Sequence, residues 1–297
     1  MKRWLIVAAL VLASAGALYY SERHKIENRV GPETVLSAAA ETQKEISHPV
    51  ARVIRLSDKE ELEIGDAIAQ RYSSYWSRSE ATDAPIEQYL NSVGKVIAAH
   101  THRRFDYKFH YIPSDGLVNA FAIPGGHVFV GKGLLQLMNS EDELAAVLGH
   151  EVEHVDHYDC NERVSVEERL KNIPFGQLLE LPIALFQAGY SKEQELEADR
   201  DGTALAVLAG YSPQGAVHLF QVLERLDREY VQKAESPQQE LSQVAIQTIQ
   251  GYFRSHPLPQ ERERQVRSLI ASEKWAEPKE RPLQVHIVPA KPEVAQQ

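Results

Sequence analysis

Cysteine is almost missing from this chain of 297 residues. Cys160 stands alone, which excludes an internal disulfide framework and any cysteine-built zinc knuckle. Basic charge is short as well: 32 Lys and Arg face 42 Asp and Glu, for a formal net charge of -10. A chain so acidic is a poor binder of phosphate backbones, so no nucleic-acid partner is expected. What is present, 43% hydrophobic and 25% charged residues, is the make-up of a packed globular domain and argues against wholesale disorder or a polytopic membrane protein. The length allows one large domain or two small ones, and a core of that size is feasible without covalent staples.

The first twenty residues differ from the rest. Met1-Lys2-Arg3 precedes an apolar run from Trp4 to Leu18 with small residues at Ala13-Ser14-Ala15, then Tyr19 and Tyr20. This reads as an export signal. The run is shorter than the about 20 residues that span a bilayer, but the tyrosines as interfacial anchors keep an uncleaved signal anchor open; a buried N-terminal helix is the plainer alternative. No cysteine near its end supports a lipid anchor. The protein is therefore expected in the bacterial cell envelope, in the periplasm or anchored to the inner membrane and facing it.

Residues 21–55 show no sustained period and read as a linker. Ser57-Asp58-Lys59-Glu60 is a capping box that predicts a helix from Asp58 to about Trp76. A second helix is expected from Pro85 to about His100. Phe105, Tyr107, Phe109 and Tyr111 then alternate with polar residues, as a half-buried strand does. Two more strands are expected at Val118–Ile123 and His127–Val130, split by the Pro124-Gly125-Gly126 turn. Ser140 opens a helix through about His157. The apolar stretch 165–189, broken by Pro174 and Pro182, reads as core helix, with a lid or membrane-facing element as the alternative. Ser191 and Gln194 cap a helix ending near Gly210, Ser212-Pro213 opens another, and helices are expected at 237–253 and 258–272. The tail 273–297 is Pro-rich, with a short strand at Leu283–Val288. The fold class is α+β, mostly helical, a small β-sheet packed among helices within one domain over 56–272.

His150-Glu151-Val152-Glu153-His154 is an HExxH pattern about two turns into the Ser140 helix. Residues i and i+4 share a helical face, so His150 and His154 can bind one Zn²⁺ while Glu151 reaches the water beside it. Two histidines satisfied on a helix surface give the same pattern, so context decides. A catalytic zinc needs a third protein ligand. In the helix after Ser191, Glu193 shares a charged stripe with Glu197 and Arg200, whereas Glu195 shares its face with Asp199, Gly202 and Ala206. That second face carries two acids and then small residues, which suits close approach of another helix. Glu195 is the expected third ligand, and Asp199, a turn later, can accept a ligand ring N–H. An ordinary acidic helix face is the competing reading.

HEVEH followed by Ser191-Lys192-Glu193-Gln194-Glu195-Leu196-Glu197-Ala198-Asp199 resembles the signature of the HtpX- and BepA-like zinc metallopeptidases. Val118–Val130, containing Asn119, Ala120, Phe121 and the Gly125-Gly126 pair, is similar to that family's N-A-F-A-x-P-G-G segment. Glu143–Leu148 and Ser255-His256-Pro257-Leu258-Pro259 match two further motifs, in family order, over roughly residues 58–272. The resemblance implies a gluzincin of zincin-like fold with one Zn²⁺ per chain, held by His150, His154 and Glu195, with Glu151 catalytic and Asp199 behind the ligands. Four features depart from the family pattern: Lys192 for arginine, Glu153 for a small or apolar residue, Tyr158 where a further histidine stands, and the lack of a helical-repeat partner domain. The layout is closer to the short, single-domain envelope members.

A zinc endopeptidase of the envelope, acting on extended or unfolded polypeptides, is the leading functional expectation. One of the strands near Asn119–Phe121 and Gly125-Gly126 can offer an edge on which substrate adds as an extra strand. His256, braced by Pro257, can donate to a developing oxyanion, bind zinc and hold the enzyme latent, or serve only as a turn residue. Arg262 matches a family arginine and can pair with acids near the site, or share a solvated face with Arg264 and Arg267. His100-Thr101-His102 with Arg103-Arg104 reads as a solvated loop. A slow or latent zinc protein, a chaperone or scaffold working with outer-membrane assembly machinery, is the alternative.

Overall fold

A computed structural model describes residues 55–76, 83–169, 174–179, 183–233, 256 and 259–285, all within the unit Ser47–Gln297. The expected export segment, nearly all of the linker, the helix at 237–253 and the end of the tail lie outside the described residues. Among those described, no helix is long and apolar enough to cross a membrane.

Helix α1 (Asp58–Trp76) starts at the expected cap: Ser57 N donates to Glu60 Oε2 at 2.9 Å and Glu60 N to Ser57 Oγ at 3.3 Å. Helix α2 (Asp83–Ala98) begins two residues ahead of Pro85, where proline's missing N–H costs nothing. Three short strands follow, β1 (Lys108–Ile112), β2 (Ala120–Ile123) and β3 (His127–Gly131), in the order β1-β3-β2. β1 runs parallel to β3 and β2 antiparallel to it, with Phe109 beside Val128 and Phe121 beside Phe129. The Pro124–Gly126 turn that joins β2 to β3 is a single turn of 3-10 helix.

The chain then becomes helical: α3 (Lys132–Leu135), α4 (Glu141–Asp156), α5 (Asp159–Arg169), α6 (Phe175–Leu178), a 3-10 turn (Ile183–Ala188), α7 (Lys192–Leu208), α8 (Gln214–Lys233) and α9 (Pro259–Glu273). The described residues of the apolar stretch 165–189 are the end of α5, α6 and the 3-10 turn; Pro174 stands at the N-cap of α6, and Leu178 and Phe186 are buried. Where a tail strand was expected from Leu283, the described residues make a single bridge, Pro282 to Ser140.

Period-2 alternation splits the sheet between two cores. Phe109, Ala120, Ala122, Val128 and Val130 face α2 and α4, packing on Leu90, Ile97, Leu144, Leu148 and Val152. Phe121, Ile123 and Phe129 face the other way, onto Ile64 and Ile68 of α1 and onto Phe186. A third cluster, Val217, Phe220, Val266 and Ile270, joins α8 to α9. Burying each of the larger of these side chains, valine and above, contributes about 1.5–3 kcal/mol.

Helices α4 and α7 meet backbone to backbone. A Cβ on Gly149 would stand 2.4 Å from Gly202 O, and one on Gly202 would stand 2.6 Å from His150 N. Only glycine permits this approach. The small-residue face foreseen on α7 is thus the one that meets the HExxH helix.

Candidate metal centre

Helix α4 is fixed at its start by Ser140, whose Oγ accepts from Glu143 N, and by Glu143, whose Oε2 accepts from Asn139 N at 2.7 Å. Its period then places His150 and His154 one turn apart and both rings inside the protein. Helix α7 has a full capping box at Ser191 and Gln194, which sets the rotation that turns Glu195 and Asp199 inward and leaves Glu193 outside.

The donors converge. His150 Nε2 lies 3.1 Å from His154 Nε2, and Glu195 reaches both, Oε2 at 3.4 Å from the first and Oε1 at 3.8 Å from the second. His256 Nδ1 lies 2.8 Å from Glu195 Oε2. The donor atoms of His150, His154, Glu195 and His256 all fall within 4.8 Å of one another, all four residues are buried, and the group is suited to hold a metal ion.

Carboxylates stand behind both rings. Asp199 Oδ1 is 2.9 Å from His150 Nδ1 and Asp159 Oδ2 is 2.8 Å from His154 Nδ1. Each accepts a hydrogen bond from the Nδ1–H, which turns the Nε2 lone pairs toward a common point. Arg262 grips Asp199 in a fork, Nε to Oδ2 and Nη2 to Oδ1, both 2.6 Å. Its Nη2 is also 3.3 Å from His150 Nδ1, but with Nδ1 protonated that is proximity between two donors. Tyr190 ties the two helices: its ring stacks on His154 with centroids 4.1 Å apart, and its N–H donates to Glu195 Oε1.

Electrostatics follow from this crowding. Burial and Arg262 depress His150, but hydrogen bonds to Asp199 and Glu195 outweigh them and push it up to about 10. Burial and the neighbouring His150 drive His154 down to about 3. Burial opposes the charge on Glu195, yet His256 and His150 hold its carboxyl well below the ordinary range.

Glu151 is buried, with His256 Nε2 3.8 Å from its Oε1. It shares a cleft with His150, Val147, Phe220, Arg262 and Ala120 of β2, so an edge strand of the sheet reaches the site. Ala120 and Phe121 lie in β2 and Asn119 just before it, all three buried, and the Phe121 ring stacks on Phe129 in the second core. Gly125 and Gly126, expected on the same edge, lie in the turn between β2 and β3. These adopt φ of 77° and 86° in the turn, where a Cβ would crowd Leu62 at 3.0 Å and Phe105 at 3.1 Å. They seat the hairpin on the protein rather than presenting an edge.

Other expectations resolve clearly. Arg262 is buried on Asp199, while Arg264 and Arg267 of the same helix are exposed. Of the supposed solvated loop, His100, His102 and Arg104 are exposed, but Thr101 and Arg103 are buried; Arg103 Nη2 pairs with Glu61 Oε2 at 2.6 Å. Glu153 turns to His157 Nε2 at 3.0 Å. Asp159 and Tyr190 were not foreseen.

A helix bearing HExxH, a glutamate carried in by a second helix and a small mixed sheet whose edge reaches the cleft define a metallopeptidase with a zincin-like domain. The chain belongs to peptidase family M48, whose family model matches residues 82–184 and 175–270. It is 28% identical over 200 residues to the beta-barrel assembly-enhancing protease of Yersinia pestis, covering 60% of this chain and 40% of that one. It is 32% identical over 173 residues to the mitochondrial metalloendopeptidase OMA1 of Schizosaccharomyces pombe, covering 54% of this chain and 50% of that one. It is 27% identical over 292 residues to the metalloprotease YcaL of Escherichia coli, covering 92% of this chain and 100% of that one. The matches to the first two thus span half of those proteins' length or less.

Proposed function

We propose that this metalloprotease is a zinc-dependent endopeptidase of the bacterial cell envelope that cleaves unfolded or misassembled proteins. One observation carries the zinc assignment: two histidines whose Nδ1–H groups donate to Asp199 and Asp159 bring their Nε2 atoms to 3.1 Å beside the Glu195 carboxylate. Two imidazoles and one carboxylate are the ligand set of an open catalytic zinc. His150, His154 and Glu195 would hold the ion, which when bound supplies a Lewis acid for the peptide carbonyl. Glu151 takes the proton of the attacking water and delivers it to the leaving amine. Arg262 and Asp199 hold the His150 ring in place.

The β2 edge beside the cleft supports binding of extended chain through backbone hydrogen bonds, which selects unfolded segments over particular sequences. An envelope location is supported by the basic and apolar start of the chain and by relatives named for beta-barrel assembly. Envelope assembly machinery is then the partner class.

A second reading is favoured by His256. With its ring in the donor group, it can complete four protein ligands and hold the zinc latent, leaving a slow enzyme that acts as a chaperone or scaffold in outer-membrane protein biogenesis. Incubating casein with wild type and with Glu151→Gln separates the two. Cleavage by wild type alone, with metal content equal in both, supports the endopeptidase. Equal cleavage by both removes Glu151 from the chemistry, and no cleavage by either supports the latent protein.

A further inference from the structure

A second group of donors lies at the start of α4, outside the centre just described. His218 of α8 places Nδ1 2.6 Å from Oε1 of Glu280, which lies beyond α9. Glu143, in the first turn of α4, completes a set whose donor atoms all lie within 4.8 Å of one another. Three separate stretches of chain thus bring one imidazole and two carboxylates together.

The charges there are poorly matched. Glu143 is 2% exposed and accepts from Asn139 N. Glu280 Oε1 is buried, and His218 Nδ1 at 2.6 Å is its one ion-pair partner among the described residues. Among the described residues no lysine or arginine pairs with either carboxylate. Burial, with Glu280 adding to it, lifts the Glu143 carboxyl above its ordinary range. Two carboxylates and an imidazole with donor atoms within 4.8 Å of one another, and no lysine or arginine pairing with either carboxylate among the described residues, are what a divalent cation satisfies.

We propose that Glu143, His218 and Glu280 form a second divalent-cation site that fastens the strap after α9 to the start of the HExxH helix. One nitrogen and two carboxylate ligands suit zinc or manganese better than calcium or magnesium. Ligand atoms about 2.1 Å from a tetrahedral zinc stand roughly 3.4 Å apart, so the His218–Glu280 contact opens by roughly 0.8 Å on binding. Both side chains have room to do so, being 45% and 26% exposed.

The strap is already laid along this line. Arg281 N donates to Asp142 Oδ2 at 2.6 Å, Glu141 N donates to Arg281 O at 2.9 Å, and Gln214 Nε2 donates to Glu277 Oε2 at 2.8 Å. A cation at Glu280 joins the strap, α4 and α8 at one point, with a structural role and no part in peptide hydrolysis.

The test is a count of zinc on the full chain by equilibrium dialysis and elemental analysis. Wild type is expected to hold two equivalents, and His218→Ala and Glu280→Gln one each, with casein cleavage unchanged. Glu195→Gln is also expected to hold one, having lost the other site. The second equivalent should raise the Tm of wild type and leave that of His218→Ala where it was. A wild type that holds one equivalent, or a His218→Ala chain that holds as much zinc as wild type, overturns the site. Zinc scattered over surface histidines gives the latter result. Loss of casein cleavage by wild type would strike the proposed endopeptidase function and leave this count standing.

Discussion

Asp159 Oδ2 accepts the Nδ1 proton of His154 at 2.8 Å, from a position just beyond the helix that carries the histidine. The reversal between them runs through Tyr158, whose φ of 69° is left-handed, an uncommon state for a residue with a Cβ. Asp159 then opens α5, and its other oxygen accepts from Gln194 Nε2 at 2.8 Å. One carboxylate therefore orients a ring of α4 and holds it against the first turn of α7, where Glu195 sits.

This makes Asp159 as important to the centre as Asp199. Asp159→Ala is expected to weaken metal binding about 10–100-fold, as loss of an orienting carboxylate does elsewhere. Competition with a chelator of known affinity measures it. An affinity within twofold of wild type would show that the ring is held by Tyr190 stacking alone.

Much of this centre was legible because its parts sit on single helices. His150, Glu151 and His154 need only the 3.6 period, and Glu195 separates from Glu193 by the same arithmetic once small residues mark the buried face. Asp159 was hidden because its role depends on a left-handed turn at Tyr158, a position that reads in the sequence only as a departure from a family pattern. Arg262 stood undecided between an acid partner and a solvated face, since its helix gives no strong apolar stripe; the pairing with Asp199 is set by how α9 packs on α7. Arg103 misled for the opposite reason. Two histidines and two arginines in a row look solvated, yet the chain alternates exposure there and sends Arg103 inward to Glu61, which no local pattern announces.

The contact between Gly149 and Gly202 sets how closely Glu195 can approach the histidines. Gly202→Ala puts a Cβ 2.6 Å from His150 N, so the helices must part. Overpacking of this kind costs about 1–3 kcal/mol, and here it also draws Glu195 away from the two histidines. Both a lower Tm and weaker metal binding are expected, read by calorimetry and metal titration. Stability lost with metal affinity intact would mean that the ligands adjust independently of the helix axis.

Arg103 carries the charge balance beneath the hairpin. Its guanidinium pairs with Glu61, 0% exposed, and Nη1 donates to Val155 O at 2.6 Å. Arg103→Met keeps the volume and strands the Glu61 carboxylate, a change that costs about 3–5 kcal/mol. Urea unfolding measures it. The double variant Arg103→Met with Glu61→Gln should recover a good part of the loss, because the stranded charge is gone; no recovery would place the cost in packing.

His110 makes stability fall in mild acid. Its Nε2 lies 2.9 Å from His127 Nδ1, whose own Nε2 lies 3.0 Å from Asp66 Oδ1. His127 donates to Asp66 and accepts from His110, and the His110 ring stacks on Phe129 at 4.6 Å. Burial, with His127 and Lys108 nearby, brings His110 down from 6.5 to about 4. Between those values the unfolded chain binds a proton that the folded one refuses, so stability drops as pH falls from 6.5 toward 4 and is fully present above 6.5. A shift of this size is worth up to about 3 kcal/mol. Burial lowers His127 as well, which adds in the same direction. His110→Phe keeps the stacked ring and removes the titration, so its loss of stability between about pH 7 and pH 4.5 should be smaller than that of wild type by about 2 kcal/mol. Urea unfolding at the two pH values checks this, and equal losses in the two proteins would place the acid sensitivity elsewhere.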